Sequence, residues 1–212
     1  MVKVEVFVFS PIRENTYILY NDQNECVIVD PGCYFPEERT FLQSWIEDRG
    51  LLVKELLNTH GHLDHVFGDR FVAETWNLKP WLHPAEEQVF KMAPASGLMW
   101  SLPFEPYTGE MNWLREDTDF VFGEDRFKVL FTPGHSPGSV SFYHEEQGFV
   151  IGGDVLFREG IGRTDLPGGD HKTLIETIRT RFFTLPDETV VYPGHGEPTT
   201  VGYEKRHNPF LR

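Results

Sequence analysis

Cysteine is scarce: Cys26 and Cys33 are the only two in 212 residues. A single pair makes a poor disulfide framework, so both are expected as reduced packing residues in a cytoplasmic protein. Basic charge is also short, with 19 Lys and Arg against 33 Asp and Glu and a formal net charge of −14. Such a chain lacks the basic face that a nucleic-acid backbone requires, and it is unsuited to an anionic membrane surface. No apolar run approaches the roughly 20 residues that cross a bilayer. The opening residues 1–9 alternate like a half-buried strand and lack the apolar core and cleavage site of a signal peptide. No linker or repeat divides the sequence, so residues 1–212 are expected to form one domain.

What is abundant is aromatic and strand-forming. Aromatics make up 14% of the chain, 18 of them Phe, which predicts a core rich in large side chains. Residues 1–9, 16–20 and 26–29 read as a small antiparallel sheet, with a turn at Asn21-Asp22-Gln23-Asn24. Phe41, Leu42, Trp45 and Ile46 recur at helical spacing before Gly50, and Val66, Phe71, Val72 and Trp76 do so before Pro80. A short helix is expected from Pro84. Pro94, Gly97, Pro103, Pro106 and Gly109 then break the pattern, leaving residues 94–113 as a cleft wall or as an aromatic loop folded back on the core. In the second half, strand runs 127–131, 141–143, 149–151 and 189–192 follow, with a helix capped by Asp170 and faced by Leu174, Ile175, Ile178 and Phe182. Strands with interleaved helices in both halves predict an α/β protein, an αβ/βα four-layer sandwich of two mixed sheets with helices outside.

The chemistry concentrates where strands end. Asn58-Thr59-His60-Gly61-His62-Leu63-Asp64-His65 follows the apolar run 51–57 and packs three imidazoles and a carboxylate into six residues. That density exceeds what a polar turn needs, and His with carboxylate is a metal-ligand set. Later strands run into Pro133-Gly134-His135, Gly152-Gly153-Asp154 and Pro193-Gly194-His195. Seven N and O donors are too many for one four-coordinate ion with an open position but suit two adjacent ions. A carboxylate can bridge two cations, so one aspartate is expected between them. Ser136 and Ser139 adjoin a ligand but have no free base, so turn roles are expected; His83, His144, His171 and His207 match no ligand pattern.

The set Thr-His-x-His-x-Asp-His, Pro-Gly-His, Gly-Asp and Pro-Gly-His resembles the metallo-β-lactamase superfamily. Val29-Asp30-Pro31-Gly32, residues 160–165 and the ending Arg206-His207-Asn208-Pro209-Phe210-Leu211 resemble its glyoxalase II-like hydrolases. The resemblance implies His60, His62 and His135 at a first metal, Asp64, His65 and His195 at a second, and Asp154 as the bridge. It implies catalytic roles for the carboxylates Asp64 and Asp154, a buttress in Asp30 and a substrate contact in Arg163. The implied cofactors are two divalent ions, zinc first, with iron and manganese compatible with the same donors. The implied reaction is cleavage of a small-molecule acyl thioester, such as S-lactoylglutathione, by a hydroxide held between the ions. Full-length glyoxalase II adds a helical C-terminal extension for glutathione and has tyrosine where Asp165 stands, so this chain is expected to be a short form that binds glutathione weakly. Gly162-Arg163-Thr164-Asp165 and Thr184-Leu185-Pro186 also resemble persulfide dioxygenases, which hold one iron; Gly194 before His195 and Gly196 after it resemble the hydrolases instead. The sequence leaves the oligomeric state open.

Overall fold

Strands that are apolar on both faces belong in the middle of a layered fold. The computed structural model describes residues 1–116 and 118–211. Its first sheet has the order β1 (Lys3–Phe9), β2 (Glu14–Tyr20), β3 (Glu25–Val29), β4 (Leu52–Leu57), β5 (Pro80–Leu82) and β6 (Asn112–Trp113). The second begins at β7 (Asp119–Phe122), β8 (Asp125–Phe131), β9 (Val140–His144) and β10 (Phe149–Gly153). A small separate pair follows, β11 (Leu156–Phe157) and β12 (Gly160–Ile161), before β13 (Val190–Pro193) and β14 (Thr199–Thr200) complete the second sheet beside β10. The helices are α1 (Pro36–Glu47), α2 (Leu63–Val66), α3 (Asp69–Trp76), α4 (Glu87–Met99), α5 (His171–Thr177) and α6 (Val201–His207).

The period-two alternation of each strand decides which layer a side chain enters. Tyr17, Leu19, Val27 and Val29 of the first sheet meet Phe127, Val129, Phe142 and Ile151 of the second in one buried cluster. Ile18, Cys26 and Ile28 point the other way, onto Leu42 and Ile46 of α1 and Val72 and Ala73 of α3. Val150 and Val191 on the outer face of the second sheet meet Leu174, Ile178, Phe182 and Val201. This is the four-layer αβ/βα sandwich that the sequence predicts, and Asp170 caps α5 by accepting from the Thr173 N–H at 2.7 Å. Both cysteines are free and buried. Among the described residues, no helix is long and apolar enough to cross a membrane.

Two local expectations change, and one left between alternatives resolves to both. The helix expected from Val66 to Trp76 is split into α2 and α3, because the Gly68 N–H donates to Pro31 O at 2.7 Å and Gly68 lies against Cys33, leaving no room for a side chain. The short helix expected from Pro84 opens as a 3-10 turn over Pro84–Glu86, and α4 after it does not stop at Pro94 but runs to Met99. Pro94 forfeits one N–H, a penalty of roughly 3 kcal/mol in an open helix. Here Ala93 packs with Leu63, Val66 and Phe67, and Gly97 closes onto Leu102 and the Phe104 ring, so burial outweighs it. Finally, residues 94–113 do both things expected of them: Phe104 folds back onto Phe67 with ring centroids 5.0 Å apart, while Met99 and Trp100 wall a cleft.

Candidate metal centre

Parallel strands deliver their following residues to the same edge of a sheet, and ligands collect there. β3 and β4 are parallel neighbours, as are β10 and β13. Asp30 follows β3, His60 and His62 follow β4, Asp154 follows β10 and His195 follows β13, while His135 lies in the loop after β8. The two sheets thus present these His- and Asp-bearing loops at one rim.

Two clusters result. In the first, donor atoms of His60, His62 and His135 lie within 4.8 Å of one another, with His62 Nδ1 2.9 Å from His135 Nε2. In the second, Asp64, His65 and His195 do the same, with His195 Nε2 3.1 Å from Asp64 Oδ2. Asp154 lies between them: Oδ2 is 3.5 Å from His135 Nε2 and 3.6 Å from His195 Nε2, and Oδ1 is 3.4 Å from His65 Nε2. Tetrahedral bonds of about 2.0–2.1 Å put neighbouring ligand atoms about 3.3 Å apart, so these spacings suit ions of that size. Buried polar atoms normally have partners, yet His60 Nε2, His65 Nε2 and Asp154 Oδ1 have none in the protein, and all three face this rim. The donor set therefore fits metal ions. A third grouping, Asp30 with His60 and His65, falls within the same distance. It is not free to bind, because Asp30 is already committed to protein donors.

Those commitments orient the ligands. Asp30 Oδ1 accepts from the Thr59 N–H at 2.7 Å, and its Oδ2 accepts from Thr59 Oγ1 at 2.6 Å and faces His65 Nδ1 at 3.0 Å, turning His65 Nε2 toward Asp154. Asp30 takes φ +50°, a left-handed conformation that Asp tolerates better than most residues. His60 Nδ1 is 3.0 Å from Thr59 Oγ1, and His135 Nδ1 is 2.8 Å from the Arg163 carbonyl. His195 Nδ1 sits 3.1 Å from Arg13 O. Gly194 has to be glycine, since a Cβ there would strike the Asp154 carboxylate and sit 2.7 Å from His65 Cε1.

Electrostatics differ between the clusters. Burial, reinforced by neighbouring imidazoles, holds His60 well below its ordinary pKa and His62 down to about 3, which keeps both neutral as metal ligation requires. Burial opposes charge on His65, but the carboxylates of Asp154, Asp64 and Asp30 raise its pKa well above the usual value. Burial likewise opposes charge on Asp154, and His65 and His195 overcome it and hold it ionised.

Sequence reasoning missed several supports. Glu86, fully buried, accepts from the Gly61 N–H at 2.8 Å, the Gly138 N–H at 2.5 Å and Ser136 Oγ at 2.7 Å, tying the His60–His62 loop to the His135 loop. Asn15 Nδ2 donates to Pro193 O at 2.9 Å and Gly196 O at 2.8 Å, and Tyr17 Oη donates to Pro193 O at 2.6 Å, fixing the His195 loop. The Ser136 carbonyl accepts from the Gly134 N–H at 3.1 Å, as the expected turn role requires, while its hydroxyl has the additional bond to Glu86 that the sequence did not suggest. Arg163 lines the ligand cavity, but its guanidinium is held by both oxygens of Asp165 at 2.8 and 2.7 Å. His144 packs between Phe127 and Phe149, far from the rim in register, and His83 caps a turn.

The family described as the metallo-beta-lactamase superfamily matches residues 10–195. A probable metallo-hydrolase of Bacillus subtilis, YqgX, is 40% identical over 203 residues, covering 95% of this chain and 94% of the relative. The hydroxyacylglutathione hydrolase GloC of Haemophilus influenzae is 34% identical over 212 residues, covering 99% and 98%. Among solved structures, TTHA1623 in a di-iron-bound form superposes with a TM-score of 0.89 at 38% identity, covering 98% of this chain and all of the other. The iron in that relative means that zinc is not singled out by the fold.

Proposed function

This chain belongs to the metallo-beta-lactamase superfamily, and we propose that it is a hydrolase that cleaves a thioester at a pair of divalent ions. The observation that carries this reading is the pair of donor clusters sharing Asp154. His60, His62 and His135 would hold one ion, Asp64, His65 and His195 the other, and Asp154 both. When bound, the ions supply Lewis acidity, lowering the pKa of a water and polarising the carbonyl it attacks. The protein's part is to hold that geometry without reorganisation. Asp30 occupies His65 Nδ1, leaving Nε2 as the nitrogen that would give up its proton in favour of an ion, and the Arg163 carbonyl occupies His135 Nδ1 in the same way. Asp64 and Asp154 line the ligand cavity, where their carboxylates would accept hydrogen bonds from the attacking water and orient it. In the overall step a C–O bond forms and the C–S bond breaks; one proton of water goes to the departing thiolate, leaving a carboxylic acid and a thiol.

The hydroxyacylglutathione in GloC's name supports the thioester class, and S-lactoylglutathione, a thioester of that class, is the first substrate to try. Zinc, iron and manganese all suit the donors. The test is metal analysis of protein purified without added metal, alongside thioester hydrolysis before and after chelation. Two ions per chain with chelator-sensitive hydrolysis is the expected outcome. One ion, no hydrolysis and oxygen uptake with glutathione persulfide would replace it with the one-iron dioxygenase.

A further inference from the structure

Resting on the hydrolase reading above, we infer that the substrate carries one extended apolar arm, bound in a trough beside the metal centre. The trough encloses about 410 Å³. One wall is α4, whose Val89, Met92, Ser96 and Met99 recur at helical spacing on a single face, and the other is Leu166 and Pro167. His62, Leu63, Trp100 and Leu166 line both this trough and the cavity that contains Asp64, Asp154 and His195. A carbonyl placed at the ligand rim therefore has the trough as a direct continuation for one side of the molecule.

Charge decides what that side is. Among the described residues, none lining the trough is Asp, Glu, Lys or Arg. A glutathionyl group brings two carboxylates and an ammonium, and burying these without partners is unfavourable. The cation of the adjoining cavity, Arg163, is already paired with Asp165. On an acidic chain of net charge −14, a neutral cleft is a local exception. Met92 is 60% exposed, Met99 84% and Trp100 50%, so the wall presents large apolar groups to water that a hydrocarbon arm would cover. The wall is also held in register with the chemistry: Glu86, one residue before α4, bonds the loops of both His62 and His135.

The test uses the metal-loaded protein with two homologous series, straight acyl chains from acetyl to octanoyl on one short thiol, and straight alkyl thiols carrying one short acyl group. In one series kcat/KM should rise about two- to fourfold per methylene, through KM, as expected for a methylene half to fully removed from water. Met92→Glu, at an exposed position, should flatten that slope. A thioether analogue, which cannot be hydrolysed, should shift tryptophan fluorescence in the parent protein and much less in Trp100→Phe. Flat dependence in both series with short thioesters still cleaved, or S-lactoylglutathione outperforming every apolar thioester, overturns the apolar arm and leaves the hydrolase reading standing. Thioether binding without hydrolysis of any thioester supports the trough and overturns the hydrolase reading.

Discussion

Replacing Glu86 with glutamine tests how the two ligand loops are held together. Each carboxylate oxygen accepts from one backbone N–H, Gly61 on one side and Gly138 on the other, and both face Ser136 Oγ. That geometry suits two acceptors. Glutamine offers one acceptor and one NH2, so one buried backbone N–H would confront another donor. Burial pushes the Glu86 pKa up, so removing the charge relieves some desolvation and offsets part of the loss. A hydrogen bond to a charged group contributes about 1.5–3 kcal/mol, and an unsatisfied buried donor costs a similar amount, so a net loss of about 3 kcal/mol is expected. For a chain of this size that corresponds to a Tm lower by about 6–12 °C. Because the released loops carry His62 and His135, metal affinity should also fall, on the order of 10- to 100-fold. Thermal unfolding and competition with a chromogenic chelator measure the two effects separately. A Glu86→Gln protein with unchanged Tm and metal affinity within twofold of the parent would refute the clamp.

Three other perturbations follow from the geometry. His195→Ala should leave about one ion per chain by metal analysis and slow thioester hydrolysis on the order of a hundredfold, since one ion's share of electrostatic stabilisation is removed; full metal content with near-normal turnover would contradict the second-site assignment. Arg163→Ala should change kcat/KM for apolar thioesters by less than about fivefold, the size of an exposed ion pair, because its guanidinium already belongs to Asp165; a much larger rise in KM would make it a substrate contact. Cys26, pushed up to about 12 by burial, and Cys33, pushed higher, should stay inert to a thiol reagent at neutral pH in the native protein and react fully once it is denatured; rapid reaction of the native protein would contradict their burial.

The layers were legible because each strand carries its destination in its alternation, as Tyr17 and Leu19 facing one way and Ile18 the other illustrate. The ligand-bearing loops were legible because histidines follow apolar runs, a local pattern. What stayed hidden depends on pairs far apart in sequence. Glu86 meets Gly61 and Gly138 across 25 and 52 positions, and in the sequence it is merely one of two glutamates opening a helix. Pro94 and Gly97 signal a helix stop by local propensity, and only the ring of Phe104 and the packing of Ala93 make α4 continue. That miss matters for function, because the helix that local rules would end is the one whose apolar face walls the trough. With α4 stopped at Pro94, Ser96, Met99 and Trp100 would not share a wall with Val89 and Met92, and the cleft beside His62 would have no continuous side. The feature that shapes substrate choice is thus set by tertiary packing, whereas the donors that set the chemistry are written locally, in loops whose backbone must turn sharply just past the strands.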